Sequence, residues 1–445
     1  MSHTASQEEI NQENTLRERA EGVLKEAKKL GATAVEVSTS SGEGLSVDVR
    51  LSEVETLEFH RDQGLGITVY FGQKKGNAST GDVSQQAIKD TVAAACRIAK
   101  YTSEDEFSGL ADAELMATEF PDLDLYHPWD IQADEAIELA RKCEAAARDY
   151  SPLITNSDGA SVGSYRGVSV YANSHGFTGV SKGTSHNLSA TMVAQEGDSM
   201  QRDFWYTSSR LQALMDSPEN VGRQASARAI KRLHGKQVAT TKVPVLYVPK
   251  MARSLVGHFT GAISGGSQYR KASFLLDAVG EKIFPDFVRL HEQPFIPQGL
   301  GSASFDKEGV ALKENDLITD GVVQSYLLGS YSARKLGLQT TGHAGGVHNL
   351  SLESTGQSFE EMLKMLGTGL LVSELIGNSV NGITGDYSRG ASGFWVENGE
   401  IQYPVDEITI AGNLKDMYQH IVAIGNDIDY QGNTRTGSIL IEEMT

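Results

Sequence analysis

Residues 159–197 read "GASVGSYRGVSVYANSHGFTGVSKGTSHNLSATMVAQEG", and no other stretch constrains the fold as tightly. Glycine recurs too densely for a helix, because each interior Gly costs about 1 kcal/mol relative to Ala. Between the glycines, apolar side chains alternate with small polar ones in short runs, the period-two signature of half-buried strands. The segment 153–215 therefore predicts antiparallel strands and hairpins.

Helices and strands are expected on both sides of it. Residues 8–30 carry Leu16, Ala20, Val23, Leu24 and Ala27 at helical spacing, with Gly31 as a stop. Three strands are predicted next, in "AVEVSTS", in "LSVDVRLSEVETLEFH" with Leu45, Val47 and Val49 alternating, and in "GLGITVYF". A helix with Ser84 as N-cap follows, and another spans about 132–149. A further helix is read over 217–235, ending at Gly235. From about residue 240 short strands and glycines dominate. "GVVQSYLL", "GFWVENGEIQYPVDEITIAG" and "GSILIEE" read as strands, "ENGE" as an Asn-Gly hairpin, and "QSFEEMLKMLGTG" as a helix with a Ser358/Glu361 capping box. The fold class expected is α+β: an N-terminal α/β domain over 1–240, then a β-rich, mostly antiparallel domain over 241–445. No clean internal repeat is visible.

The net charge of −19 opposes non-specific nucleic-acid binding, which needs clustered Lys and Arg to displace counterions. There is no apolar run of 18 residues, so no membrane span is expected. The polar, Glu-rich opening lacks the apolar core of a secretory signal. Two cysteines, Cys96 and Cys143, sit among small residues on predicted helices and read as buried thiols. So few cysteines point to a reducing compartment, and a cytoplasmic location is expected.

Catalytic motifs are missing from the sequence. His343 and His348, in "TTGHAGGVHNL", are the nearest histidine pair, but no Asp or Glu flanks them and a metal site needs three or four convergent ligands. Glu292 follows His291 in "LHEQPF", yet no second ligand comes next. There is no G-x-S-x-G elbow, P-loop or dinucleotide motif. Two glycine-rich stretches, 331–346 and 384–405, read equally as a peptide-binding surface or as tight turns of a β domain. The second holds Asp386, Tyr387, Arg389 and Trp395. Within it, Arg389 either points outward or pairs locally with Asp386.

"GHFTGAISGGSQYRKASFLLDAVGEKIFPDF", "SYSARKLGLQTTGHAGGVHN", "ITGDYSRGASGFWVENGEIQYPVDEITIAGNLKDM" and "IGND" resemble the PmbA (TldE) branch of the TldD/PmbA family over most of the chain. The resemblance implies an N-terminal α/β domain, a β-rich C-terminal domain and association as dimers. It implies that the TldD branch carries H-E-x-x-x-H on a helix plus a distant Cys and binds zinc, which activates water for peptide hydrolysis. Carried across, the motif positions fall at Gly257, His258 and Ala262, with the Cys near Thr436. None can serve in its role, so no metal and no catalytic residue are expected in this chain. The implied function is that of the metal-free subunit of a zinc metallopeptidase, with the zinc in a TldD-type partner. Unfolded or modified small peptides are the implied substrates, as in microcin precursor processing and antitoxin degradation. Expected peptide contacts are His343, His348, Asp386, Tyr387 and Arg389, with the subunit interface in the C-terminal half and homodimers as a further option. Two alternatives stay open: a non-enzymatic protein-binding regulator of the gyrase-modulator type, and an autonomous peptidase with an unrecognised site. No nucleic-acid or membrane partner is expected.

Overall fold

The computed structural model describes residues 7–445, so the first six residues of the polar opening lie outside it. The N-terminal part runs α1 (Gln7–Lys29), β1 (Ala34–Arg50), β2 (Glu53–Phe71), β3 (Lys74–Thr80), α2 (Gln85–Tyr101), α3 (Ala133–Arg148), β4 (Ile154–Asn173), β5 (Thr178–Glu196), β6 (Ser199–Ser209) and α4 (Pro218–Lys231). Its strands form one antiparallel sheet in the order β3-β2-β1-β4-β5-β6. The order of elements is a duplication: helix, three-stranded meander, helix, twice over, joined through β1 and β4. Sequence inspection found no repeat because the two halves share topology, not residues.

The predicted strands in 34–71 were cut in the wrong place. The chain runs straight through residues 41–44 and turns instead at Leu51 and Ser52, whose φ values are 51° and 67°. Neither residue favours positive φ as Asn and Gly do, so this tight hairpin is not visible in the sequence. Helix α4 stops at Lys231, four residues short of the predicted end at Gly235, with His234 at φ 62°.

All the helices of this part pack on one face of the sheet. Alternate residues Val35, Val37, Val47 and Val49 of β1 point into them and are fully covered. Cys96 and Cys143 are buried on α2 and α3 as free thiols. The opposite face is partly covered, by residues of the 110–126 connection and by Phe305 and Val310 of the C-terminal part.

The C-terminal part contains β7 (Val243–Tyr247), α5 (Pro249–Ala262), α6 (Gly265–Tyr269), β8 (Leu290–Glu292), β9 (Asn315–Thr319), β10 (Val322–Val323), α7 (Ser330–Leu336), β11 (Leu350–Leu352), α8 (Phe359–Leu366), β12 (Gly369–Ile376), β13 (Asp386–Glu397), β14 (Glu400–Asn413), α9 (Leu414–Gln419), β15 (Ile421–Ile424), β16 (Thr434–Arg435) and β17 (Ile439–Met444). Two sheets result, ordered β14-β13-β12-β7-β17-β15 and β10-β9-β8-β11-β16. Pairing is antiparallel except β7 with β12 and β11 with β16. The α+β class holds. The Asn398 and Gly399 hairpin and the Ser358/Glu361 capping box form as predicted. "GVVQSYLL" contributes only the two-residue β10.

Many contacts tie the halves together, among them Arg210 with the Gly299 and Leu300 carbonyls, Arg232 with Glu374, and those of α7 and α5. Arg334 of α7 donates to the carbonyls of Phe107, Gly109 and Leu110, and Tyr331 donates to Asp105. Much of the 331–346 stretch therefore works inside the molecule. Lys250, at the start of α5, lies 4.0 Å from the Trp205 ring and 4.2 Å from the Tyr206 ring of β6. Burial, then the charge of Arg228, pulls its pKa down to about 8.

Candidate functional site

Helix α5 starts where β7 ends, with Pro249 pre-setting the first turn. Ala252, Leu255, Val256 and Phe259 form its buried stripe, and the Tyr418 hydroxyl donates to the Leu255 carbonyl. The helix breaks at Ile263 and Ser264, and Ser264 caps the short α6. Gly265 explains part of the glycine run, since a Cβ there would lie 2.2 Å from Ser332 Oγ on α7.

Gly257 and Gly261 are different. An added methyl at either meets no atom within 4 Å. Together with His258 and Ala262 they open on a cavity of about 180 Å³, walled also by Ser267, Ala272, Phe274, Asn378, Val380, Gly382 and Leu414. At 100° per residue these helix positions span about 140° of arc. Gly257, His258 and Ala262, the positions to which the resemblance assigns the motif, thus face one space, and no carboxylate lines it.

His258 Nε2 is buried without a hydrogen-bond partner. Its ring meets Tyr387 edge-on, with centroids 6.1 Å apart. Burial, then the charge of Arg389, pulls the imidazole pKa below its ordinary value. Arg389 Nε is likewise buried without a partner. Tyr387 and Arg389 are two apart on β13 and so share a face, whereas Asp386 lies on the other. Asp386 accepts from Thr384 and Asn413 instead. The local Asp386–Arg389 pairing is therefore not formed. The Tyr387 hydroxyl lies 3.5 Å from that of Tyr247 on β7, and burial raises its pKa.

His343 and His348 do not line the cavity. They have the acid that their sequence neighbourhood lacks: Glu292, 51 residues before His343. Glu292 accepts from His343 Nε2 at 2.6 Å, and from the His348 backbone N–H and Nδ1 at 2.7 and 3.1 Å. Burial opposes ionisation of Glu292, but these hydrogen bonds prevail and hold its pKa at about 2. The cluster is a buried, hydrogen-bonded brace around one carboxylate. Thr436 is fully buried, donates to the Gly437 carbonyl and also lies outside the cavity lining. Among the described residues no group of three or more His, Cys, Asp or Glu is placed to hold a metal ion.

A feature missed in the sequence is a groove of about 800 Å³ on the face of the N-terminal sheet away from its helices. Tyr165, Gly167, Ser169, Ser181, Gly183 and Ser185 line its floor, and residues 120–126 and 302–304 its walls. The signal was present: serines and glycines occupy the alternate positions of β4 and β5 that face away from the helices.

A duplicated six-stranded N-terminal sheet is joined to a two-sheet domain in which α5 borders the cavity. Matches to the PmbA/TldA metallopeptidase family cover domain 1 at residues 35–99, the central domain at 126–233 and the C-terminal domain at 240–445. The chain belongs to this family, in its PmbA branch. It is 52% identical to the metalloprotease PmbA of Escherichia coli O157:H7, over 92% of this chain and 91% of that one. Identity to the PmbA homolog of Haemophilus influenzae is 47%, over 97% and 96%. A crystal structure of a candidate modulator of DNA gyrase from Bacteroides thetaiotaomicron superposes with a TM-score of 0.92 at 27% identity, covering 99% of each chain. TldE from Thermococcus kodakarensis shares the fold, with a TM-score of 0.81 at 20% identity, covering 96% of this chain and all (100%) of that one. Among the described residues no helix is long and apolar enough to cross a membrane.

Proposed function

We propose that this chain is the metal-free subunit of a cytoplasmic, two-chain zinc metallopeptidase that acts on unfolded or modified small peptides. The observation that carries the reading is the α5 cavity. It keeps the three positions of a metallopeptidase motif on one wall, and fills them with Gly257, His258 and Ala262. These residues do not fit zinc: a lone imidazole whose pKa is lowered by burial and then by a neighbouring guanidinium, with no carboxylate lining the cavity, lacks both ligand set and general base. The chemistry then belongs to a TldD-type partner.

What this chain contributes is surface. Residues 53–64 of β2 have a free edge, because β3 pairs only with 65–71. An extended peptide adds to such an edge through main-chain hydrogen bonds. Around β12 to β14, Ile376, Ile383 and Ile401 are exposed at 54%, 60% and 46%, which suits a subunit contact in the C-terminal half. The test mixes the purified chain with a TldD-type subunit bearing H-E-x-x-x-H. Cleavage of an unfolded peptide is expected only in the mixture, with zinc in the partner. Cleavage by this chain alone, free of contaminants, refutes the reading.

A further inference from the structure

We propose that the edge of β2 over residues 53–64 binds extended peptide segments whose side chains alternate between apolar and basic. This rests on the reading of the chain as a peptide-handling subunit and deepens it by naming the class of sequence taken. The internal duplication shows what such an edge holds. β3 pairs with β2 only from Leu65 onward, and β6 pairs with β5 only from His186 onward. The counterpart of residues 53–64 is therefore the first part of β5, up to Ser185. There the chain covers its own edge: the Thr184 N–H donates to the Leu125 carbonyl at 3.1 Å, and Thr184 Oγ1 accepts from the His127 N–H at 3.0 Å. Leu125 and His127 belong to a stretch without helix or strand, which crosses the sheet edge. On β2 nothing corresponds to it: among the described residues no strand but β1 pairs with 53–64.

The two faces of this edge select the side chains. Val54, Leu57 and Phe59 stand opposite Val49, Val47 and Leu45 of β1, on the helix face. Val47 and Val49 are fully covered there, but Val54, Leu57 and Phe59 are exposed at 37%, 51% and 66%. Val180, which precedes the β6 pairing by as many residues as Phe59 precedes the β3 pairing, is packed against the core. The apolar strip on β2 thus lacks the cover that its counterpart has. Glu58 and Asp62 share the other face. Among the described residues neither has an ion pair, whereas Glu55 pairs with Arg50 and Arg61 with Glu43. An added strand that turns apolar residues toward Leu57 and Phe59 turns the residues between them toward these acids. Lys or Arg there gains cross-strand pairs, and Glu or Asp is repelled. The same acids disfavour a second copy of this chain, whose edge carries the same charges.

The test titrates the full chain into three heptapeptides, each labelled at the N-terminus and amidated, and reads fluorescence anisotropy. The probe is Val-Lys-Val-Thr-Val-Lys-Val. One control carries Glu for both Lys, and the other Pro for the central Thr. The probe should bind. Both controls should bind at least about tenfold more weakly, the first for charge repulsion and the second for a lost main-chain donor. Leu57→Lys with Phe59→Lys should abolish binding and leave Tm unchanged, since both side chains are exposed. Glu58→Lys with Asp62→Lys should reverse the preference between the Lys and Glu peptides. Equal binding of those two peptides by the wild-type chain overturns the proposal, as does undiminished binding of the Pro peptide or by the Leu57/Phe59 variant. Sedimentation showing that this variant loses a homodimer also overturns it, because the edge is then a contact between copies. Absence of binding by every probe, with partner-dependent cleavage intact, overturns this inference alone. Absence of both overturns the subunit reading as well.

Discussion

Replacing Gly257 and Gly261 by alanine should stabilise the protein, while the same change at Gly222 should destabilise it. All three glycines lie inside helices at ordinary helical φ, the first two on α5 and the third on α4. Each substitution gains about 0.8–1.0 kcal/mol in helix propensity. What differs is where the new methyl goes. At Gly257 and Gly261 it meets open space. At Gly222 it lies 2.2 Å from the Cys143 carbonyl oxygen and 3.0 Å from the Ala147 backbone nitrogen on α3, neither of which can swing away. Forcing such a contact costs about 1–3 kcal/mol, which cancels or outweighs the gain. The α5 double variant should gain about 2 kcal/mol, and its domain, residues 240–445, falls in the size range where 1 kcal/mol moves Tm by about 2–4 °C. Calorimetric melts of the ligand-free chain read the shift, and urea titration checks that it is a change of midpoint, not of slope. A fall in Tm for the α5 variant would refute the claim of an open cavity on a regular helix. A rise for Gly222→Ala would refute the close α3–α4 contact. The costs of Gly257 and Gly261 are thus matched by no packing need, and the space they leave is their evident contribution.

Glu292→Gln should cost about 3 kcal/mol, because it leaves three buried donors on a weaker, uncharged acceptor. Since the folded-state pKa of Glu292 lies below its unfolded value, the unfolded chain binds more protons, and the stabilisation present above about pH 4.3 is lost as pH falls toward about 2. Denaturant titrations of wild type and Glu292→Gln across that window should converge at the acid end; a constant gap between them contradicts the assignment. Arg389→Ala should leave stability within about 0.5 kcal/mol and remove peptide binding or partner-dependent turnover. A lowered Tm with turnover intact marks the residue as structural instead. Metal analysis of the purified chain should find no stoichiometric zinc; one tightly held equivalent, lost on mutating His258, His343 or His348, contradicts the reading.

Periodicity made most elements of the fold legible. The valines of β1, the apolar stripe of α1 and the capping box of α8 are local signals, and each formed where the pattern put it. Features set by tertiary contact were not legible. The hairpin at Leu51 and Ser52 is secured by Glu144 of α3, whose carboxylate accepts from both backbone N–H groups at 2.7 and 2.8 Å. An acid more than 90 residues away thus does what Asn-Gly does at 398 and 399. The duplicated architecture was hidden for a related reason: inward positions need only be apolar and small, so two halves keep one topology with different residues.

The candidate site divides along the same line. Motif spacing placed Gly257, His258 and Ala262 on one helix, and the geometry of α5 is enough to set them around one cavity. Tyr387, 130 residues further on, reaches the His258 ring, and Arg389 its neighbourhood, because the register of β13 turns alternate side chains toward α5 and sends Asp386 away. Strand parity alone forbids the Asp386–Arg389 pair, since positions three apart face opposite sides. The His343 and His348 pair looked idle only because its acid, Glu292, enters from the separate strand β8. In one protein, then, a buried carboxylate holds two histidines as a brace, while His258, on the wall of the α5 cavity, keeps a buried Nε2 that no other strand supplies with a partner.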